Sequence, residues 1–120
     1  MKNNKFKIVI PSYNNEKWVE YNMASIINQT YKNYDVLYIN DCSTDNTPKL
    51  VEDVISKYEL NNWTLIHHKT NKQRGYNVNP NSKHIINFMD SEDDIILFVD
   101  GDDWLIDSNV LEKLNDFYNT

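Results

Sequence analysis

Strand-like and helix-like segments alternate along the whole chain. Four short runs rich in β-branched and aromatic residues (Phe6 to Ile10, Tyr34 to Asn40, Trp63 to His67 and Ile95 to Val99) are each followed by apolar residues at helical spacing. Such a repeat folds into a parallel sheet, because each helix carries the chain back to begin the next strand in the same direction. The right-handed crossover rule then leaves few topologies. The usual doubly wound order for four strands is 3-2-1-4, with helices on both faces. It makes strands 1 and 4 neighbours at the switch point, where ligands bind beyond the carboxyl ends of the strands. The fold class is therefore α/β and Rossmann-like, with a mainly parallel sheet.

Local signals set the expected boundaries. Pro11 is expected to stop strand 1, since it cannot donate to a ladder. Val19, Met23, Ile26 and Ile27 mark one face of a helix from Glu16 to Gln29. The run Ser43 to Pro48 offers N-cap residues and a first-turn proline for a second helix with Leu50, Val51, Val54, Ile55 and Tyr58 on one face. A loop from His68 to Asn79 precedes a short helix carrying Ile85, Ile86, Phe88 and Met89. Ser108 opens a last helix whose Val110, Leu111, Leu114 and Phe117 face inward.

At 120 residues the chain supplies one domain's core, and residues 1–120 read as a single unit. A formal charge of −6 argues against binding a nucleic-acid backbone, which needs a basic stripe. Cys42 is the lone cysteine, so neither an internal disulfide nor a cysteine zinc site is available. The apolar run Ile8 to Ile10 is too short for a signal peptide or a membrane span, and a cytoplasmic location is the expectation.

The loops expected at the carboxyl edge are polar: "PSYNN" after strand 1, "NDCSTD" after strand 2 and "DGDDW" after strand 4. Asp100, Asp102 and Asp103 crowd the end of a buried strand. Carboxylates so placed raise one another's pKa unless a cation neutralises them. An EF-hand is excluded, because Leu105 and Leu111 stand where its glycine and glutamate belong. A hard divalent cation with few protein ligands, Mg²⁺ or Mn²⁺ beside phosphates, fits better. Asp41, ending strand 2, occupies the place of the nucleotide-binding acid of dinucleotide folds. Arg74 is either a cation for a diphosphate or one more surface arginine.

Other residues point to less. Ser12 lacks the His and Asp partners of a hydrolase triad. His67 and His68, adjacent on a strand, face opposite ways and cannot chelate together. His84 is expected on a helix surface, Cys42 has nothing nearby to activate it, and Trp18, Trp63 and Trp104 are expected to pack rather than to stack on sugars.

Together, "IVIPSYNNEKWVEYNMASIINQTYKNYDVLYINDCSTDNT" and "DDIILFVDGDDWL" resemble the family-2 glycosyltransferases of the GT-A fold. The combination of a P-S-Y-N turn, a helix ending in Q-T, a D-x-S-x-D-x-T loop and a D-x-D is specific. The resemblance implies that Pro11, Ser12, Tyr13 and Asn14 line a nucleotide pocket and that Asp41 accepts from the base, most simply uracil N3–H. It implies that Asp102 holds Mn²⁺ or Mg²⁺ on the diphosphate of a nucleotide-sugar donor. Asp100 contacts ribose or the metal, Asp103 supports them from behind, and Arg74 matches a basic residue of the middle loop loosely.

The implied activity is metal-dependent, inverting transfer of a sugar from a UDP-sugar to an acceptor hydroxyl. The chain departs from the family pattern at Asn40, where many members carry an acid, and in ending soon after the D-x-D. The acceptor half and the catalytic base are expected beyond Thr120, which leaves a donor-binding unit with apolar surface that favours a homo-oligomer.

The alternative is a nucleotide-binding or scaffolding module that keeps the fold without transfer. A receiver-type signalling domain ranks lower, since its acid pair belongs after strand 1. A sugar nucleotidyltransferase ranks lower too, since it wants a Gly-rich, Arg-bearing loop there.

Overall fold

The computed structural model describes residues 2–120. Four parallel strands, β1 (Phe6–Ser12), β2 (Tyr34–Asn40), β3 (Trp63–His67) and β4 (Ile95–Phe98), form one sheet in the order β3-β2-β1-β4. The helices are α1 (Val19–Ile27), α2 (Thr47–Lys57), α3 (Gln73–Asn77), α4 (Lys83–Phe88) and α5 (Val110–Tyr118).

Strand alternation divides the core. Phe6, Ile8 and Ile10 of β1 join Val36 and Tyr38 of β2 under Met23 and Ile26 of α1, Val51 of α2 and Leu111 of α5. The opposite face carries Val9, Leu37 and Ile39, covered mainly by Ile85 and Phe88 of α4. Helices thus lie on both faces, three against one side and short segments against the other. The crossover from β3 to β4 runs against the direction of the first two, so a right-handed connection places α3 and α4 on the second face.

That second face holds a buried ion pair. Lys7, 2% exposed on β1, donates to Asp35 at 2.7 Å and Asp90 at 2.6 Å, with its ammonium 4.6 Å from the Phe88 ring centroid. The carboxylates outweigh the burial that would lower its pKa, so Lys7 titrates above the ordinary lysine range.

Four expectations change. Pro11 does not stop β1 but pairs with Ile39 inside it. The Pro11 carbonyl accepts from Gly101 on the β4 side, and β4 ends opposite Val9, so no ladder acceptor there requires the missing N–H. Residues 16–18 form turns, and α1 begins only at Val19. The segment after His68 contains α3 rather than loop alone. Phe117 is 69% exposed instead of inward. Its expected place belongs to buried Asn115, whose Oδ1 accepts from the Asn4 backbone and side-chain N–H groups and the Tyr31 hydroxyl. The inner stripe of α5 therefore runs through Leu111 and Asn115, four residues apart on one face.

Candidate functional site

The carboxyl ends of β1, β2 and β4 meet at one edge, as the strand order requires. A cavity of about 250 Å³ opens there, with Pro11, Ser12, Tyr13 and Asn15 on one side. Asp41, Arg74 and Asn77 form another wall, and Asp100 and Asp102 the third. Residues 90 positions apart in sequence thus line one cleft. Of the residues singled out from the sequence, Pro11, Ser12, Tyr13, Asp41, Arg74, Asp100 and Asp102 come together here.

Asn14 does not line it. Its backbone sits at φ 53, its N–H donates to Ser43 Oγ at 3.0 Å and its Oδ1 accepts from the Thr44 N–H at 2.8 Å. It braces the first loop against the second. Asp45 does the same, accepting from Thr47 N–H and hydroxyl and from the Glu16 N–H. Burial raises the Asp45 pKa, but those donors prevail and hold it below the usual carboxylate range.

Asp41 is buried and heavily hydrogen-bonded. Its Oδ1 accepts from His68 Nδ1 at 2.9 Å and from the Lys72 N–H at 2.7 Å, and its Oδ2 accepts from the Gln73 N–H at 2.8 Å. Burial pushes the carboxyl up, yet the hydrogen bonds outweigh it and keep the group charged below the ordinary range. His67 points the other way, to Asn40 and Glu52, so the two histidines diverge as their adjacency demands.

The acidic turn is gripped from behind. Asn22, fully buried on α1, donates through Nδ2 to the Asp100 carbonyl at 3.1 Å and the Asp103 carbonyl at 2.8 Å. Gln29, one heptad on, donates to the Asp107 carbonyl and accepts from the Leu111 N–H. Neither residue was singled out from the sequence. Two polar side chains seven residues apart within the apolar face of a helix were the available signal. The carboxylate oxygens of Asp100, Asp102 and Asp103 lie within 4.8 Å of one another. Arg74 Nε donates to Asp100 Oδ1 at 2.9 Å and ties the β3–β4 connection to the turn.

Ser12 Oγ accepts from the Tyr38 hydroxyl at 2.8 Å and from Asn15 Nδ2 at 3.0 Å. Burial pushes the Tyr38 phenol up to about 12, so it remains a donor. Ser12 is an organiser of the loop, consistent with its lack of triad partners. Asn14, Cys42 and Gln73 all adopt left-handed backbone conformations, with φ of 53, 63 and 66. Strain in non-glycine residues concentrates on the loops that frame this cleft.

Trp63 packs in the core, but Trp18 and Trp104 depart from expectation. They are 39% and 50% exposed and lie 5.9 Å apart beside Tyr21. His84 is half-buried rather than on the surface, its Nε2 3.2 Å from the Asn77 carbonyl. A larger concavity of about 650 Å³ lies over β2 and β3 on the second sheet face, bordered by Lys7, Asp35 and Thr64. The convergent acids and strained loops are at the smaller cleft.

The arrangement has known counterparts. Residues 7–120 match the family described as Glycosyl transferase family 2. Poly(ribitol-phosphate) beta-N-acetylglucosaminyltransferase TarS of Staphylococcus aureus is 28% identical over 103 residues, 84% of this chain and 17% of that protein. The putative glycosyltransferase EpsE of Bacillus subtilis is 30% identical over 99 residues, 82% of this chain and 33% of that protein. The crystal structure of TarS 1-349 with UDP-GlcNAc superposes with a TM-score of 0.75 at 30% identity, covering 96% of this chain and 31% of that one. The chain therefore spans a third or less of the length of these relatives. Among the described residues, no helix is long and apolar enough to cross a membrane. The sheet order and helix placement are those of the GT-A fold, and the chain belongs to glycosyltransferase family 2.

Proposed function

We propose that this chain binds a nucleotide-sugar donor, in our reading a UDP-sugar, for inverting transfer to an acceptor hydroxyl. One observation carries the reading: loops from β1, β2 and β4 and the β3–β4 connection converge on a single cleft with acids at one end and an arginine beside them. Pro11 and Tyr13 offer surfaces for the nucleoside, with Asp41 at the base end and Ser12 organising the turn. Arg74 supplies a cation for the diphosphate, and Asp100 faces the ribose or the metal. The related TarS was crystallised with UDP-GlcNAc and with UDP.

The acidic turn fits an oxygen-preferring divalent cation. Three carboxylates stand within 4.8 Å, two of them exposed, which suits an ion that keeps several water or phosphate ligands. Asp102 and Asp100 would hold Mn²⁺ or Mg²⁺, with Asp103 supporting them. The ion supplies positive charge against the diphosphate as it departs. Asn22 keeps the turn aimed through two backbone carbonyls.

Acceptor deprotonation needs a base within hydrogen-bond reach of the attacking hydroxyl. In this reading the base lies beyond Thr120, so residues 1–120 bind donor without transferring sugar. The acceptor is a glycan, protein or lipid. Exposed Ile106 and Phe117 favour association with further protein surface, a second copy included.

Calorimetric titration with UDP, ADP, GDP and CDP in the presence of Mn²⁺ tests the assignment. UDP is expected to bind tightest. A chain that binds none of the four contradicts it.

A further inference from the structure

Asn77 ends α3 in the wall of the same cleft and is 1% exposed. Its Oδ1 is buried and has no hydrogen-bond partner among the described residues. Buried amide oxygens are almost always paired, and an unpaired one costs free energy that a bound donor group would recover. The amide cannot simply be turned over, because its side chain also faces the Asp41 carboxylate. A flipped amide would set one acceptor against another, so Nδ2 faces Asp41 and Oδ1 remains the open acceptor.

Asp41 has little left to offer a ligand. His68 and the Lys72 N–H occupy Oδ1, the Gln73 N–H occupies Oδ2, and the Asn77 amide closes on the same carboxylate. A carboxylate has about four lone-pair sites. Groups of the chain itself answer all of them.

We infer that Asn77 Oδ1 accepts the imide N–H of the donor's uracil, while Asp41 acts through it as a positioning residue that anchors the 68–77 segment and orients the amide. The inference rests on the donor-site reading above and moves the base-selecting contact from Asp41 to Asn77. A base presenting a lone pair at that position, as cytosine does at N3, meets acceptor with acceptor and is rejected.

The test is calorimetry on the intact chain with Mn²⁺, using UDP, N3-methyl-UDP and CDP. Wild type should bind N3-methyl-UDP roughly tenfold more weakly than UDP, the loss of one hydrogen bond in a buried site. Asn77→Ala should weaken UDP about fivefold to tenfold and abolish the preference over N3-methyl-UDP. A merely structural role for Asn77 would lower affinity for both ligands and leave their ratio unchanged, which overturns the inference. The wild-type comparison does not depend on any variant folding, and equal binding of UDP and N3-methyl-UDP overturns the inference alone. Failure of wild type to bind any nucleoside diphosphate overturns the donor-site reading, and this inference with it.

Discussion

Gly101 lies against Ser12 so closely that a β-carbon on the glycine would stand 2.5 Å from Ser12 Oγ and 2.7 Å from its Cβ. The contact locks the acidic turn after β4 onto the end of β1, where the Gly101 N–H also donates to the Pro11 carbonyl at 2.9 Å. No positive φ is involved, so the requirement for glycine is space alone. Gly101→Ala should destabilise the chain by about 1–3 kcal/mol, the usual cost of overpacking. Urea unfolding measures it, and adding Ser12→Gly should restore part of the loss by removing two of the three nearest atoms.

The Lys7 ion pair predicts unequal effects for its two partners. Asp35 is 25% exposed and also contacts Lys5 at 3.2 Å, whereas Asp90 is 72% exposed. Asp35→Asn should cost on the order of 1–3 kcal/mol, below the full price of a wholly buried pair because water still reaches it. Asp90→Asn should cost less than about 1 kcal/mol. Denaturant midpoints for both variants check the order, and a larger loss at Asp90 would contradict it.

Acid should loosen the cleft. Asp41 and Asp45 both have folded-state pKa values below the model value of 3.8, so the unfolded chain takes up their protons more readily. Their contribution to stability is fully present above about pH 5 and is lost as pH falls through 3.8 towards the lower folded values. The urea midpoint should be flat from about pH 5 to 7 and fall steeply below about pH 4. Asp41→Asn should be less stable at neutral pH and show a shallower fall.

Arg74 separates stability from binding. Its pair with Asp100 is 60% and 31% exposed, which limits its worth to less than about 1 kcal/mol. Arg74→Ala should leave unfolding nearly unchanged, weaken UDP several-fold, and leave uridine unaffected. Equal weakening of both ligands would remove Arg74 from the diphosphate end.

The sheet was legible in the sequence because four β-rich runs alternate with helical patterns, and a right-handed crossover leaves little choice of order. Tyr34–Asn40 and Trp63–His67 were read to the residue. Pro11 misled because its missing N–H matters only where a neighbouring strand asks for it, and that depends on where β4 ends. Phe117 misled because periodicity cannot tell an apolar stripe from one shared with a hydrogen-bonding Asn115. In the cleft, the acids and Pro11 to Tyr13 were legible as loop ends at one sheet edge. Asn22 and Asn77 were not, since one acts through backbone carbonyls and the other through a cavity wall formed only by tertiary packing.

The central claim is that the converging loops form a metal-assisted site for a nucleoside diphosphate. Titrating UDP into the chain with Mn²⁺ and again with EDTA, for wild type and for Asp102→Ala, tests it most directly. The account predicts clearly tighter binding with Mn²⁺ for wild type and no difference between the two conditions for Asp102→Ala. Equal wild-type affinity with and without metal would contradict it.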